Sequence, residues 1–273
     1  MSTTTWTDAM AKRLLELLAI LKLTALASQV ERRFVEAGHR EALTVLLEVV
    51  EHEVQARHGR RVERLLRESK LPPGKTFATL DDKRLPRTLV DQAHALGQGG
   101  FVERADNVLC FGLPGTGKSH VASAIGHALV QTGRSVLFVP TYQLVQELLA
   151  AKRNLDLPRA LRKLDAYDVL ILDDIGYVQQ NAEEIEVLFT LMAERYERRS
   201  MLITSNLVFS DWERIFKNPM TTAAAIDRVV HHSVILEFDV PSFRTEEARR
   251  RGRTSNGAGA GDAASSSGET EPA

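Results

Sequence analysis

The chain has 273 residues, of which 44% are apolar and 26% are charged, and its formal net charge is -1. These values predict a globular protein with one large and one small domain, and they exclude an overall positive field that attracts nucleic acid. The single cysteine, Cys110, excludes an intramolecular disulfide, and no paired cysteine and histidine spacing indicates zinc. Because the N-terminus lacks a signal-peptide layout and no apolar run approaches the roughly 18 residues of a membrane span, we expect a cytoplasmic protein.

Residues 1–70 predict a small helical N-terminal domain. A first helix begins at Thr7 or Asp8, and a second covers residues 25–37 and ends near Gly38. A third helix runs from about residue 41 to 69, where Gly59 is a candidate break or bend. The inward faces of the first and third helices are predicted to carry Leu14, Leu17, Leu18, Leu21, Leu43, Leu46, Leu47, Val50 and Val54. The arginines of residues 57–67 alternate with glutamates, so a solvated helix face and a contact with DNA phosphates are equally good interpretations.

The sequence LPPGK at residues 71–75 breaks the helix and marks a domain boundary. We therefore predict a second domain over residues 71–247, beginning with a lead-in strand or loop at 76–82. In that segment Phe77 is expected to pack against the protein rather than against a nucleotide base. Residues 248–273 contain almost no large apolar side chain, so we predict a disordered tail, whose arginines act as a solvated linker rather than a DNA contact.

Apolar strands alternate with helical patterns along the second domain. The predicted strands are residues 107–111, 135–140, 169–173, 201–204 and 234–238. The predicted helices are residues 87–97, 118–131, 142–151, 159–164, 182–198 and 221–231. This alternation predicts an α/β fold with a parallel sheet and crossover helices.

Residues 112–119 read GLPGTGKS and fit the phosphate-binding P-loop pattern. Glycines allow a tight turn that brings backbone N–H groups to a polyphosphate, and the start of the following helix favours anions. Lys118 is expected to reach the β and γ phosphates, and the Ser119 hydroxyl to bind Mg²⁺. The candidate ATP-binding residues are Gly112, Pro114, Gly115, Thr116, Gly117, Lys118, Ser119 and His120.

Two further strands end in polar residues that suit phosphate chemistry. Asp173, at the end of the strand 169–173, is a candidate Mg²⁺ ligand, and Asp174 a candidate for orienting or deprotonating the attacking water. Asn206 follows the strand 201–204, and its amide is expected to face the γ phosphate, with ordinary turn chemistry as the alternative.

Two arginines near the end of the second domain are candidates for stabilising transition-state charge. Arg228, on the helix before the last strand, is placed to reach a neighbouring subunit's γ phosphate, with a salt bridge to Asp227 or another surface group as the alternative. Arg244 follows the last strand and is placed to reach the phosphates of its own subunit. His231 and His232 are interpreted as packing or surface residues.

Together these motifs make the chain resemble the AAA+ ATPases, and among them the clade of bacterial helicase loaders and IstB-type transposition helper proteins. The resemblance spans about residues 10–247. It is carried by residues 101–109, 112–120, 172–180, 187–198, 204–207 and 221–233. It implies that the helical N-terminal domain is followed in sequence by an AAA+ domain with a five-stranded sheet of order 5-1-4-3-2.

The resemblance also implies roles and partners. Lys118 and Ser119 resemble the Walker A residues, Asp173 and Asp174 the Walker B pair, and Asn206 sensor 1. Arg228 resembles an arginine finger and Arg244 a sensor 2 residue. The implied activity is ATP hydrolysis with Mg²⁺, in a homo-oligomeric ring or filament on duplex DNA that recruits and stimulates an IstA-type transposase. A DnaC-type replicative helicase loader is the alternative.

One position departs from the AAA+ pattern. Many AAA+ proteins have glutamate where this chain has Asp174, whose side chain is one methylene shorter. Direct action as a base is therefore less certain at this position, and slow hydrolysis is expected. A metabolic P-loop kinase is disfavoured because the sequence shows no evident lid or acceptor site.

Overall fold

The computed structural model describes residues 6–177, 181–207, 211–212, 219–230, 232–243 and 245. The chain divides into two compact units, Met1–Arg67 and Glu68–Ala273. Among the described residues, no helix combines the length and the apolar character that a membrane crossing requires.

The first unit is helical. Its helices are α1 Asp8–Ile20, α2 Thr24–Ala27, α3 Val30–Glu36 and α4 Ala42–Glu68. The Thr7 side chain caps α1 by accepting a hydrogen bond from the Met10 N–H at 3.4 Å. The core includes Trp6, Leu14, Leu17, Leu18, Leu21, Val30, Leu43, Leu47 and Val50, as the helical spacing predicts for most of these positions.

Two details of the first unit differ from the sequence prediction. The predicted helix 25–37 is two shorter helices, because the Ser28 hydroxyl donates to the Ala25 carbonyl at 3.0 Å and competes with helix continuation. Helix α4 passes through Gly59 without a break, and a Cβ added there would have no atom within 4 Å. Gly38 ends α3 with φ of 76°, as predicted.

The second unit is an α/β fold built on a parallel five-stranded sheet. The strands are β1 Asn107–Gly112, β2 Val136–Pro140, β3 Val169–Asp173, β4 Ser200–Ser205 and β5 Ser233–Phe238. Their order is β2-β3-β4-β1-β5, which is the expected order 5-1-4-3-2 counted from the opposite edge. The predicted AAA+ sheet is therefore confirmed.

Helices cover the sheet and connect its strands. They are α5 Arg87–Gly97, α6 Gly100–Glu103, α7 Lys118–Gln131, α8 Thr141–Arg153, α9 Leu157–Asp165, α10 Ala182–Arg195 and α11 Pro219–Val230. The alternative of a lead-in strand at 76–82 is wrong. Short 3₁₀ turns at Phe77–Thr79 and Asp82–Arg84 occupy this region, because Thr76 and Thr79 form a reciprocal cap that closes the backbone into a turn.

The inner strands are buried on both faces, as near-continuous apolar runs predict for a parallel sheet. In the register of β1 with β4, Phe111 lies opposite Ser205, and in that of β3 with β4, Leu172 lies opposite Ile203. The carboxyl ends of β1, β3 and β4 therefore meet at one edge of the sheet. The P-loop, the Asp173–Asp174 pair and Asn206 follow these three strand ends.

Candidate nucleotide-binding site

The P-loop connects β1 to α7, and glycine is required at both of its ends. The φ of Gly117 is 103°, in the left-handed region, and this residue caps α7. A Cβ on Gly112 would lie 2.6 Å from the Phe238 carbonyl oxygen, because β1 and β5 approach closely here. The loop therefore turns sharply. The N-terminus of the 14-residue helix α7 faces the concave side of the loop.

The Lys118 ammonium lies inside this loop. Its Nζ donates to the Gly112 carbonyl at 2.6 Å and to the Leu113 carbonyl at 2.8 Å. The buried Thr116 hydroxyl donates to the same Leu113 carbonyl at 2.8 Å, whereas Pro114 is exposed. Backbone carbonyls of the loop thus hold the ammonium within the loop itself.

The Asp173 carboxylate at the end of β3 is oriented by the neighbouring strand. Thr204 Oγ1 donates to Asp173 Oδ1 at 2.8 Å and accepts the Asp174 backbone N–H at 2.8 Å. The Thr141 hydroxyl donates to the Asp173 carbonyl at 3.0 Å. Asp174 has φ of 62°, a left-handed conformation that costs energy for a residue other than glycine. Thr204 thus fixes both acidic residues, a role that sequence reasoning missed although Thr204 ends a predicted strand.

Asn206 follows β4 and sits tightly beside the turn after Asp174. Its Oδ1 is buried and accepts no hydrogen bond from any residue that the structure describes. A Cβ on Gly176 would lie 2.1 Å from this oxygen, so only glycine leaves room for the observed Asn206 side chain. Asn206 lines a cavity of about 330 Å³ together with Gly112 and Leu113 of the P-loop. The amide therefore lies beside the loop in which a terminal phosphate would be held.

These residues fit a magnesium–nucleotide ligand by their chemistry. The hydroxyl of Ser119 and the carboxylate of Asp173 are hard oxygen donors, which Mg²⁺ prefers, and Lys118 with the α7 N-terminus suits phosphate. Among the described residues, no group of three or more histidine, cysteine, aspartate or glutamate side chains is arranged to hold a metal ion. Mg²⁺ in nucleotide sites needs none, because water and phosphate oxygens complete its octahedron.

A second cavity, of about 340 Å³, opens on the other side of the P-loop. It is lined by Lys75, Thr79, Leu80, Asp81, Gly115, Gly117, Lys118, Ser119, His120 and Phe243. The Phe243 N–H donates to the Gly115 carbonyl at 2.8 Å, and the Arg84 guanidinium stacks 4.2 Å above the Phe243 ring. The C-terminal segment thus contacts the P-loop directly. The contact between Arg84 and Phe243 has no sequence signal, since these residues are far apart in the chain.

Phe77 does not line either of these cavities. Its ring stacks on His94 with centroids 4.1 Å apart, which agrees with the packing role expected from the sequence.

Arg228 lines neither of the two cavities beside the P-loop of its own chain. Its guanidinium stacks 4.5 Å above the Phe189 ring, and its Nη1 is buried without a hydrogen bond to any described residue. Arg244 and His231 lie outside the described residues. His232 is exposed, with Nε2 3.6 Å from Glu197 Oε1.

Cys110 lies in β1 directly behind the site and is fully buried. Burial raises the pKa of its thiol from an ordinary value of 9.0 to about 12, opposed by the charge of Lys118 and assisted by that of Asp173. The thiol therefore stays protonated at neutral pH and acts as a small apolar core group, as its place in a buried strand predicts.

The sheet order, the P-loop and the acidic pair at one strand edge define an AAA+ nucleotide-binding protein. The profile of the IstB-like ATP-binding proteins matches residues 16–251. The chain therefore belongs to the IstB-like ATP-binding family.

Individual relatives agree with this assignment. An insertion-sequence ATP-binding protein of Sinorhizobium fredii is 45% identical over 229 residues, which cover 81% of this chain and 77% of that protein. The insertion sequence IS21 ATP-binding protein of Pseudomonas aeruginosa is 37% identical over 245 residues, which cover 86% of this chain and 90% of that protein. Among solved structures, DnaI has a TM-score of 0.52 at 18% identity, covering 62% of this chain and 95% of that chain. This last likeness shows the fold alone.

Proposed function

We propose that the protein is the ATP-dependent helper of an IstA-type transposase in insertion-sequence transposition. With ATP it assembles on duplex DNA, recruits and stimulates the transposase, and is released by ATP hydrolysis. The observation that carries the proposal is the meeting of P-loop, acidic pair and Asn206 at one sheet edge in a chain of this family. The names of its relatives, which are insertion-sequence ATP-binding proteins, support the transposition context.

In the hydrolysis step, each group of the site has a separate role. Lys118 and the loop N–H groups would hold the β and γ phosphates, while Ser119 and Asp173 would hold Mg²⁺. Asp174 orients or deprotonates the attacking water, and Asn206 positions that water at the γ phosphate. Because an aspartate reaches less far than a glutamate, we expect slow turnover, which suits an ATPase that times the lifetime of an assembly.

Assembly is proposed to use Arg228 in trans. Arg228 lies on α11, is only partly buried, and lines neither of the two cavities beside the P-loop. A γ phosphate of a neighbouring copy would supply the acceptor, and the Phe189 ring would hold the guanidinium in place. Arg244 is proposed to reach the phosphates within one copy, since the adjacent Phe243 binds the P-loop backbone.

DNA contacts are proposed to come from local cations, because the net charge of one chain is -1. Arg159, Arg162 and Lys163 of α9 are exposed and form no ion pair with any described residue. On α4, by contrast, Arg57 and Arg60 pair with Glu53 at 2.7 and 3.5 Å, which favours the solvated-face interpretation for those two. Many weak sites combined in one oligomer give strong, salt-dependent binding.

The test compares Arg228→Ala with the wild-type chain by sedimentation, using a non-hydrolysable ATP analogue and a duplex. We expect the variant to bind nucleotide as a monomer with unchanged affinity, and to lose ATP-dependent assembly and most of its ATPase rate. Arg87→Ala is the control, because Arg87 is exposed and pairs with Asp91 on its own helix. Normal assembly and turnover of Arg228→Ala would remove the proposed role in trans.

A DnaC-type replicative helicase loader remains the alternative of the same fold. The same sedimentation experiment separates the two functions when it is repeated with single-stranded DNA. A transposition helper is expected to assemble on the duplex, whereas a loader core is expected to prefer the single strand.

A further inference from the structure

His120 joins two sides of the 340 Å³ cavity beside the P-loop. It follows Ser119 directly on α7, and its Nε2 lies 3.1 Å from the Thr76 carbonyl oxygen and 3.2 Å from Thr79 Oγ1. Both partners belong to residues 74–81, here called the wall segment, which supplies Lys75, Thr79, Leu80 and Asp81 to the cavity lining.

The hydrogen-bond partners assign the proton on His120. A carbonyl oxygen only accepts, so Nε2 carries a hydrogen that points to Thr76. The Thr79 hydroxyl can donate to the Gly74 carbonyl or to the Thr76 carbonyl, which lies 3.0 Å away. Thr79 Oγ1 is thus placed to accept from Nε2 as well. One imidazole N–H therefore ties the wall segment to α7 at two points.

The wall segment is held by the His120 bonds to α7 and by the Phe77 ring, which stacks on His94 of α5. Its own turn is closed by the Thr76 N–H, which donates to Thr79 Oγ1 at 3.0 Å. The turn is therefore internally rigid, but Thr79 is exposed and offers little apolar packing to hold the turn against α7. His120 therefore tethers this turn to α7, at the position directly after Ser119, the proposed Mg²⁺ ligand.

The cavity is lined on one part by the P-loop and on another by the wall segment with Phe243, and this indicates which part of a nucleotide the wall segment would contact. If the P-loop holds the phosphates, as the proposed function requires, the remaining lining from the wall segment and Phe243 faces the nucleoside part of the ligand. A ligand that consists of phosphates alone has no nucleoside to contact this lining.

We propose that His120 is a positioning residue that fixes the wall segment against the nucleoside of the bound nucleotide. It acts through Thr76 and Thr79 rather than through the phosphates, and this assignment rests on the proposed ATP site. Losing the tether removes the bonds that fix the Thr79 side of the wall to α7, so ATP must order this side on binding and its affinity falls.

The test measures calorimetric affinities of the full chain for Mg-ATP and for Mg-tripolyphosphate. We expect His120→Ala to weaken ATP binding about three- to tenfold, the size of one or two modest hydrogen bonds. Tripolyphosphate affinity should stay within about twofold, because phosphate contacts are unchanged. His120→Gln, whose amide N–H reaches a similar position, should restore most of the ATP affinity.

A matched control lies on the same helix. His127 Nε2 is 3.1 Å from the Pro72 carbonyl, so His127→Ala removes one contact between α7 and the same connecting chain outside the cavity lining. It should bind both ligands as the wild type does. Equal loss of both ligands in His120→Ala, or no loss of either, would overturn the positioning role. Failure of the wild type itself to bind ATP would instead reject the proposed function.

Discussion

Thr204 shows how one hydroxyl can organise two acidic residues that are proposed to act in ATP hydrolysis. Its hydroxyl donates to the Asp173 carboxylate and accepts the Asp174 N–H, both at 2.8 Å. One oxygen thus links the end of β4 to the two acidic residues after β3. The proposed Mg²⁺ ligand and the proposed water-activating residue are held in register by this single side chain.

Gly176 provides a test of the proposed Asn206 position. In Gly176→Ala the new Cβ would lie 2.1 Å from Asn206 Oδ1, so the amide must move away from its place beside the P-loop. We expect phosphate release from ATP to slow by about tenfold or more, because misplacing a positioning group by about 1 Å has that effect. ATP affinity, measured by calorimetry, should change little.

Gly59→Ala is the control for that substitution. No atom lies within 4 Å of a Cβ at Gly59, which is inside α4, so the ATPase rate should be unchanged. Thermal unfolding should show equal or greater stability, by up to about 1 kcal/mol. Full ATPase activity in Gly176→Ala would show that Asn206 does not position the water.

The raised pKa of Cys110 predicts a pH-dependent stability. The unfolded thiol releases its proton near the ordinary pKa of 9.0, whereas the folded thiol keeps its proton up to about 12. The folded state therefore binds more protons in this window, and the free energy of unfolding should fall as the pH rises through it, by at most about 1.4 kcal/mol per pH unit. Urea unfolding at several pH values, compared with Cys110→Ala, checks this. If the free energy of unfolding changes with pH in the same way in both proteins, the proposed contribution of Cys110 is wrong.

At the scale of elements, α10 is attached to the sheet by a buried arginine. The Arg195 guanidinium donates at 2.9 to 3.4 Å to the carbonyls of Leu164, Tyr167, Asp168 and Ser200. Burial lowers the pKa of Arg195 to about 10, so the group is still charged at neutral pH. It connects the ends of α9 and α10 to the starts of β3 and β4.

Arg195→Ala should destabilise the second unit by about 3 kcal/mol, since several buried carbonyls lose their donor together. Arg198→Ala is the matched control. Arg198 is exposed and pairs with Asp165 and Glu194, so its loss should cost about 1 kcal/mol or less. Chemical denaturation of both variants gives the comparison. Equal effects of the two substitutions would contradict the bridging role of Arg195.

Local patterns predicted the regular elements well, because they depend on short-range periodicity. The strand 169–173 and the helix 118–131 have the predicted bounds, and the other strands differ by one residue at one end or, for β4, at both ends. Irregular segments were harder to predict. The turns around Phe77 depend on two threonine hydroxyls, and the division of α2 from α3 depends on one serine hydroxyl. The spacing of apolar residues carries no information about such side-chain hydrogen bonds.

Contacts between distant elements were not available from the sequence pattern. The tether from His120 to the wall segment, the bridges of Arg195 and the stacking of Arg228 on Phe189 join residues that only the folded sheet brings together. The sheet order itself came from the family resemblance, because strand spacing does not fix which strands are neighbours.

At the scale of the whole molecule, the proposed function requires more than one copy. Each chain has a net charge of -1, so one copy offers only local cations to DNA. Strong binding is expected only when nucleotide joins several copies along the duplex, which multiplies weak contacts. Nucleotide state then controls DNA binding through assembly rather than through the affinity of a single chain.

The most direct measurement of this coupling is electron microscopy of the protein on duplex DNA with an ATP analogue, comparing the wild type with Lys118→Ala. Lys118 is the cation held inside the P-loop, so its removal should abolish nucleotide-dependent assembly while both units stay folded. The wild type should form regular rings or filaments on the duplex only when the analogue is present. Identical assemblies from Lys118→Ala, or from the wild type without nucleotide, would contradict the proposal that a bound triphosphate governs assembly.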